Sequence, residues 1–227
     1  MKRSEINREL KTAVSFLKRN KFNLPVWALW SPADWKKAGP EADEIRERKL
    51  GWDLTDFGSG NYATFGLLLF TIRNGVFTKK REPAVKDYCE KLLLVGEDQE
   101  TPIHFHWNKM EDIINRGGGV LELQLWNADP KTEKLDRKGA VMASVDGIAR
   151  RVKAGGYVRL APGESITLAP YCYHRFYAVK GTGRVLGGEV SRVNDDAGDN
   201  RFLKPMPRFP AIEEDVPPLY LLCNEYP

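Results

Sequence analysis

From residue 64 to residue 193 the chain alternates short apolar runs with turn residues. This punctuation constrains the fold more than any other feature. The runs are 64–72, 88–95, 103–107, 120–126, 140–145, 157–160, 165–168, 174–179 and 184–193. Between many of them stand Asn74-Gly75, Gly96-Glu97-Asp98, Gly117-Gly118-Gly119, Asn127-Ala128-Asp129-Pro130, Pro162-Gly163 and Gly181-Thr182-Gly183. Glycine and asparagine tolerate the backbone angles of tight turns, and proline pre-sets one of them. Many short strands with regular turns predict a β-sandwich or β-barrel.

The flanks differ. Ile6, Leu10, Ala13, Val14 and Leu17 recur at the spacing of one helix face. Ser31-Pro32 ahead of Ala33-Asp34-Trp35 predicts a capped helix start, and 41–50 predicts a further helix closed by Gly51. The last segment, 204–227, carries Pro205, Pro207, Pro210, Pro217 and Pro218 among Phe209, Leu219, Tyr220, Leu221 and Leu222. Proline argues against helix there, and the apolar residues argue for packing against the body. The reading is a single domain: a helical segment over 1–50, a barrel over 51–203 and a C-terminal wrap over 204–227.

Composition excludes several classes of function. The net charge of +4 is small and its basic residues are interleaved with acids, as in Glu44-Ile45-Arg46-Glu47-Arg48-Lys49. No basic stripe for nucleic acid emerges. No run approaches the ~20 apolar residues of a membrane helix, and Gly66-Leu67-Leu68-Leu69-Phe70 reads as a short buried strand. Cys89, Cys172 and Cys223 are too few and odd in number for a disulfide framework, which predicts a reducing, cytoplasmic setting. The N-terminus has no apolar signal segment.

The three histidines fall where one metal ion needs them. On a strand His104 and His106 share a face. Glu111 can return from the strand end to offer an oxygen, and His174 comes from another strand. Three imidazoles and a carboxylate suit an open-sited transition metal better than calcium or a closed structural zinc site. Cys172, two residues from His174, reads either as barrel lining or as a thiolate nucleophile.

Other polar residues gather around this frame. Glu189 and Ser191 share a strand face, and an inward Glu189 would mark a site. Asp199 and Arg201 are expected at the pocket mouth. Lys109, between His106 and Glu111, is expected to be pushed toward its neutral form by the cation and to serve in proton transfer or hold a substrate oxygen. Gln124 and Trp126 share a face and are candidates for a hydrogen bond and an apolar wall in a polyol pocket.

The spacing His104-x-His106-x4-Glu111-x6-Gly118, with Gly163 eleven residues before His174, resembles the metal motifs of the cupins, although Asp98 stands where their first motif opens on glycine. Longer segments resemble one cupin group, the D-lyxose isomerase family. They are Glu90-Lys91-Leu92, Pro102-Ile103-His104-Phe105-His106, the run from Lys109-Met110-Glu111-Asp112 through Ile113-Ile114-Asn115-Arg116 to Gly117-Gly118-Gly119, and Glu189-Val190-Ser191 with Asp199-Asn200-Arg201-Phe202. The resemblance implies a mainly β cupin jelly-roll barrel with an N-terminal helical segment. It implies a manganese-dependent aldose–ketose isomerase acting on D-lyxose/D-xylulose and commonly on D-mannose/D-fructose, and a homodimer. The expected chemistry is proton transfer through a metal-bound enediolate, with Glu189 as base and Lys109 assisting at oxygen. The alternatives are a cupin dioxygenase and a sugar-binding cupin without turnover.

Overall fold

The protein is described by a computed structural model covering residues 1–76, 78, 85–196 and 198–227. Helix α1 spans Arg3–Arg19, α2 Pro32–Lys37 and α3 Asp43–Glu47. The strands are β1 Gly51–Thr55, β2 Leu67–Asn74, β3 Tyr88–Val95, β4 His104–Phe105, β5 Glu111–Gly118, β6 Leu121–Asn127 and β7 Val141–Val145. There follow β8 Ile148–Val152, β9 Gly156–Leu160, β10 Ser165–Leu168, β11 Cys172–Ala178, β12 Val185–Arg192 and β13 Arg201–Phe202.

The strands form two antiparallel sheets. One has the order β1-β2-β3-β12-β5-β10-β7-β8 and the other β13-β4-β11-β6-β9. Their inner faces share one apolar core. Leu69, Leu93, Ile113, Val145 and Ile166 come from the larger sheet, and Leu123, Leu125, Leu160 and Phe176 from the smaller. The expectation of a mainly β fold with an N-terminal helix holds. The closed barrel is corrected: no continuous hydrogen-bonded ladder joins the sheets among the described residues, only isolated bridges such as Glu97 with Ala178. Side-chain packing between facing sheets does the work that ladder closure does in a barrel.

Helix α1 covers the outer face of the larger sheet. Ile6, Leu10, Ala13 and Leu17 pack on Trp52, Leu54, Phe70, Leu92, Leu94 and Leu186. Each fully buried leucine or isoleucine contributes about 2 kcal/mol, so this face rather than helix propensity holds α1. Helix α2 starts at a capping box, with the Asp34 N–H donating to Ser31 Oγ and the Ser31 N–H to the Asp34 carboxylate. The helix expected over 41–50 is broken into a short 3-10 turn and α3. The C-terminal segment is threaded against α1. The Glu213 N–H donates to the Met1 carbonyl, and the buried Arg3 guanidinium pairs with Glu214 and Glu225.

Candidate active site

The site sits at the seam between the sheets. His104 lies directly opposite His174 in the β4–β11 pair, a position in which side chains of neighbouring strands meet. Strand β4 is shorter than the expected 103–107, yet the two-residue period persists past its end. His104 and His106 turn inward, while Phe105 between them packs outward against Trp126 and Tyr173. The three rings converge, with ligand nitrogens within 4.8 Å of one another. Glu111 opens β5 on the opposite sheet, so three nitrogens come from one sheet and the oxygen from the other. Glu111 Oε1 lies 3.1 Å from His174 Nε2 and 3.6 Å from His106 Nε2.

The hydrogen bonds fix which nitrogen faces inward. His104 Nδ1 donates to the Pro102 carbonyl at 2.9 Å, His174 Nδ1 to the Cys172 carbonyl at 3.0 Å, and His106 Nδ1 to the Asp199 carbonyl. A carbonyl only accepts, so each Nδ1 carries the proton and each Nε2 presents a lone pair when the ring is neutral. Burial holds His104 well below the usual imidazole range, with His174 and His106 adding to the effect. Burial, then the Lys109 charge, pushes His106 down to about 3. Burial opposes ionisation of Glu111, yet Lys109 and the histidines hold its carboxyl well below the usual carboxylate range. Lone pairs therefore face a carboxylate oxygen, and His106 Nε2 and Glu111 Oε1 are buried with no hydrogen-bond partner. Such an arrangement is repulsive unless a cation lies among the atoms. Second-sphere carbonyl contacts of this kind are the usual support of metal-binding imidazoles. The donor set fits a divalent transition metal.

Beside the histidines the larger sheet turns a charged face inward. Lys91 on β3 lies opposite Glu189 on β12, and Ser191 lies opposite Glu111 on β5. Lys109 Nζ bridges Glu111 Oε2 at 2.8 Å and Glu189 Oε1 at 2.9 Å. Lys91 Nζ is 3.4 Å from Glu189 Oε1, and Ser191 Oγ donates to the same oxygen at 3.0 Å. These contacts all fall on Oε1, so none of them uses the Oε2 of Glu189. Burial opposes the charge of Lys109, but Glu111 and Glu189 outweigh it and raise its pKa. Two carboxylates thus clamp its ammonium, a pairing that opposes the repulsion expected from a cation. Glu189 is held below its usual value by Lys109 and Lys91 against the opposing effect of burial.

The remaining expected residues take other places. Asp199 stays out of the cavity lining. Its carboxylate accepts from the backbone N–H groups of Asn108 and Lys109, each at 2.8 Å, which folds the turn that carries Lys109. Arg201 pairs with Phe105 in register and therefore points outward, where it bonds Glu133 at 3.0 Å. Gln124 and Trp126 do share a face of β6, but Leu121, Leu123 and Leu125 occupy the inner one. Gln124 instead bonds the Gly155 carbonyl and Arg175, and Trp126 joins the outer aromatic cluster. Cys172 packs in the core, and burial pushes its thiol up to about 12, which removes it as a thiolate. The cavity has a free volume of about 50 Å³ and is walled in part by Phe57, Lys91, Asn194, Asp196, Phe202 and Arg208. A lone lysine before Leu92-Leu93-Leu94 was the sequence signal for Lys91. Nothing in the sequence marked Arg208.

The family model for D-lyxose isomerase matches residues 1–226. The D-lyxose/D-mannose isomerase of Escherichia coli O157:H7 is 49% identical over 227 residues, covering 100% of this chain and 98% of the relative. That of Serratia proteamaculans is 48% identical with the same coverage. Among solved structures, Cellulomonas parahominis L-ribose isomerase with L-ribose matches at a TM-score of 0.63 and 16% identity, covering 94% of this chain and 98% of that one. Geodermatophilus obscurus L-ribose isomerase matches at 0.60 and 17%, with the same coverage. At such identities the likeness is one of fold.

Proposed function

The chain belongs to the D-lyxose isomerase family, and from that premise we propose that it is a metal-dependent aldose–ketose isomerase. Its substrate pairs are D-lyxose with D-xylulose and D-mannose with D-fructose. The reaction moves one proton from C2 to C1 and another from O2 to O1. His104, His106, His174 and Glu111 would hold the ion. When bound, a divalent cation, manganese in this reading, supplies Lewis-acid stabilisation of the negative charge that develops on the sugar oxygens. Glu189 is ionised and its Oε2 is left by the described contacts, so it serves as the base that lifts the proton from C2 and returns it at C1. Lys109, charged and fixed by Glu111 and Glu189, donates a hydrogen bond to a sugar oxygen. Phe57 and Phe202 help shield the site from water.

One observation carries the metal reading: His106 Nε2 and Glu111 Oε1 are buried 3.6 Å apart, and neither has a hydrogen-bond partner. The test is D-lyxose isomerisation by purified protein before chelation, after chelation and after manganese add-back. Activity should vanish and return, and His104→Ala and His174→Ala should lose the metal while staying folded. Full turnover by metal-stripped protein would overturn the metal requirement. No turnover by manganese-loaded protein would overturn the activity.

A further inference from the structure

The segment between β4 and β5, 106–110, belongs to no strand, yet it carries both His106 and Lys109. Glu111 faces both of them: its Oε1 lies 3.6 Å from His106 Nε2 and its Oε2 2.8 Å from Lys109 Nζ. The path of this turn therefore decides how one carboxylate is divided between the ion and the lysine. A turn outside the sheet ladders needs other hydrogen-bond partners to keep such a path. The three histidines also differ in how they are held. His104 and His174 bond carbonyls two residues back in their own segments, whereas His106 bonds a carbonyl 93 residues away. Its orientation alone depends on a distant segment.

These contacts converge on Asp199, which is 6% exposed. The Asn108 N–H donates to Asp199 Oδ1 and the Lys109 N–H to Oδ2, each at 2.8 Å, and Asn108 Nδ2 reaches Oδ1 at 3.4 Å. The Asp199 carbonyl is the one that accepts from His106 Nδ1. One residue thus holds the imidazole through its main chain and the lysine backbone through its side chain. Asp199 is itself anchored. Its N–H donates to the Asp195 carbonyl at 3.0 Å. Two residues on, Arg201 and Phe202 pair with Phe105 and His104 of β4. Asp199 does not line the cavity, so its carboxylate reaches the chemistry through the turn.

We propose that Asp199 is a positioning residue that fixes His106 and Lys109 relative to Glu111, so that one contact sets both the ion site and the lysine beside the base. The kinetic part of this rests on the sugar-isomerase reading; the metal part does not. The test combines calorimetric titration of chelated protein with manganese and steady-state kinetics on D-lyxose at saturating manganese. The variants are Asp199→Ala, Lys109→Met and the double variant. Partners that orient a metal ligand are commonly worth roughly 10–100-fold in metal affinity or activity. Asp199→Ala should weaken manganese binding about tenfold and lower kcat about thirtyfold, with KM within about threefold of wild type. The double variant should turn over within about threefold of Lys109→Met, since the carboxylate acts on turnover through Lys109. Should Asp199→Ala not fold, Asp199→Asn, which keeps one acceptor oxygen for the two N–H groups, should show smaller losses in the same two quantities. Either quantity staying within about twofold of wild type in the variant measured, with only the melting temperature lowered, would overturn the proposal. So would a tenfold rise in KM at unchanged kcat, which would return Asp199 to the sugar, or a double variant slowed by the product of the two single effects. An inactive wild type would overturn the functional reading, and the manganese titration would still judge Asp199.

Discussion

Glu189→Gln isolates the acid–base role from everything else the side chain does. The amide is the same size and keeps an oxygen for the hydrogen bonds now made by Lys109 at 2.9 Å and Ser191 at 3.0 Å. It places an NH2 group where Oε2 now stands, and that group cannot take a proton. General-base catalysis is worth roughly 10²–10⁴ in rate, so kcat for D-lyxose should fall at least about a hundredfold, or about 3 kcal/mol of barrier. Stability should fall as well. Lys109 would keep Glu111 as its partner while Lys91 would lose its carboxylate contact, and breaking a buried pair costs up to about 3–5 kcal/mol, less here because the amide still accepts. Kinetics therefore belong well below the melting temperature, with manganese content measured on the same sample. In deuterated water the wild-type product should gain deuterium at the carbon that receives the proton. A Glu189→Gln variant turning over within threefold of wild type would refute the assignment of the base, and an unlabelled product with it would favour a hydride shift.

Two further outcomes follow from the geometry. Arg201→Ala should leave KM and metal content within about twofold of wild type and change stability little, because it removes a half-exposed pair with Glu133 on the outer face; a tenfold rise in KM would return Arg201 to the pocket. The metal-free protein should lose stability in acid, because His106 is pushed down to about 3, chiefly by burial, and His104 well below its usual value for the same reason. An unfolded imidazole titrates near ~6.5. Below that pH the unfolded state binds more protons than the folded one, so the contribution is complete above about pH 6.5 and drains as pH falls toward about 3. A melting temperature of chelated protein that stays flat from pH 7 to pH 4 would contradict this.

The sequence was most informative where one local pattern served both fold and chemistry. His104 and His106 share a face in any strand, and the alternation with Phe105 holds even though β4 itself is only two residues long. The face of α1 was equally plain, since Ile6, Leu10, Ala13 and Leu17 have nowhere else to go. Strands β1, β5 and β8 were hidden for distinct reasons. Strand β1 is buried at every residue and so has no alternation to show. Strand β5 carries Glu111, Asn115 and Arg116 and ends in glycines that read as a turn. Strand β8 is a largely exposed edge. Gln124 and Trp126 do share a face, but periodicity says only that residues share a face. Which face is inner depends on the partner sheet, and that is tertiary information.

The site's place at the seam explains why so many charges are tolerated there. Along β3, β5 and β12 the inward face is apolar at Leu93, Ile113 and Val185, then becomes Lys91, Glu111 and Glu189 toward one end. A sheet bound on one face by α1 and on the other by the apolar core can carry such an end, because the stabilising area lies elsewhere. The same division separates the roles of the two sheets. The smaller sheet and the loops beside it hold the imidazoles through backbone carbonyls, a rigid arrangement that would set the position of an ion. The larger sheet supplies Glu111, Lys91 and Glu189, and the turn before β5 supplies Lys109, so the groups proposed to move protons are anchored beside the residue proposed to give the ligand oxygen. A change in the packing between the sheets would therefore alter the metal geometry and the base-to-metal distance together, and core substitutions at Leu125 or Ile113 are expected to reach catalysis through this seam.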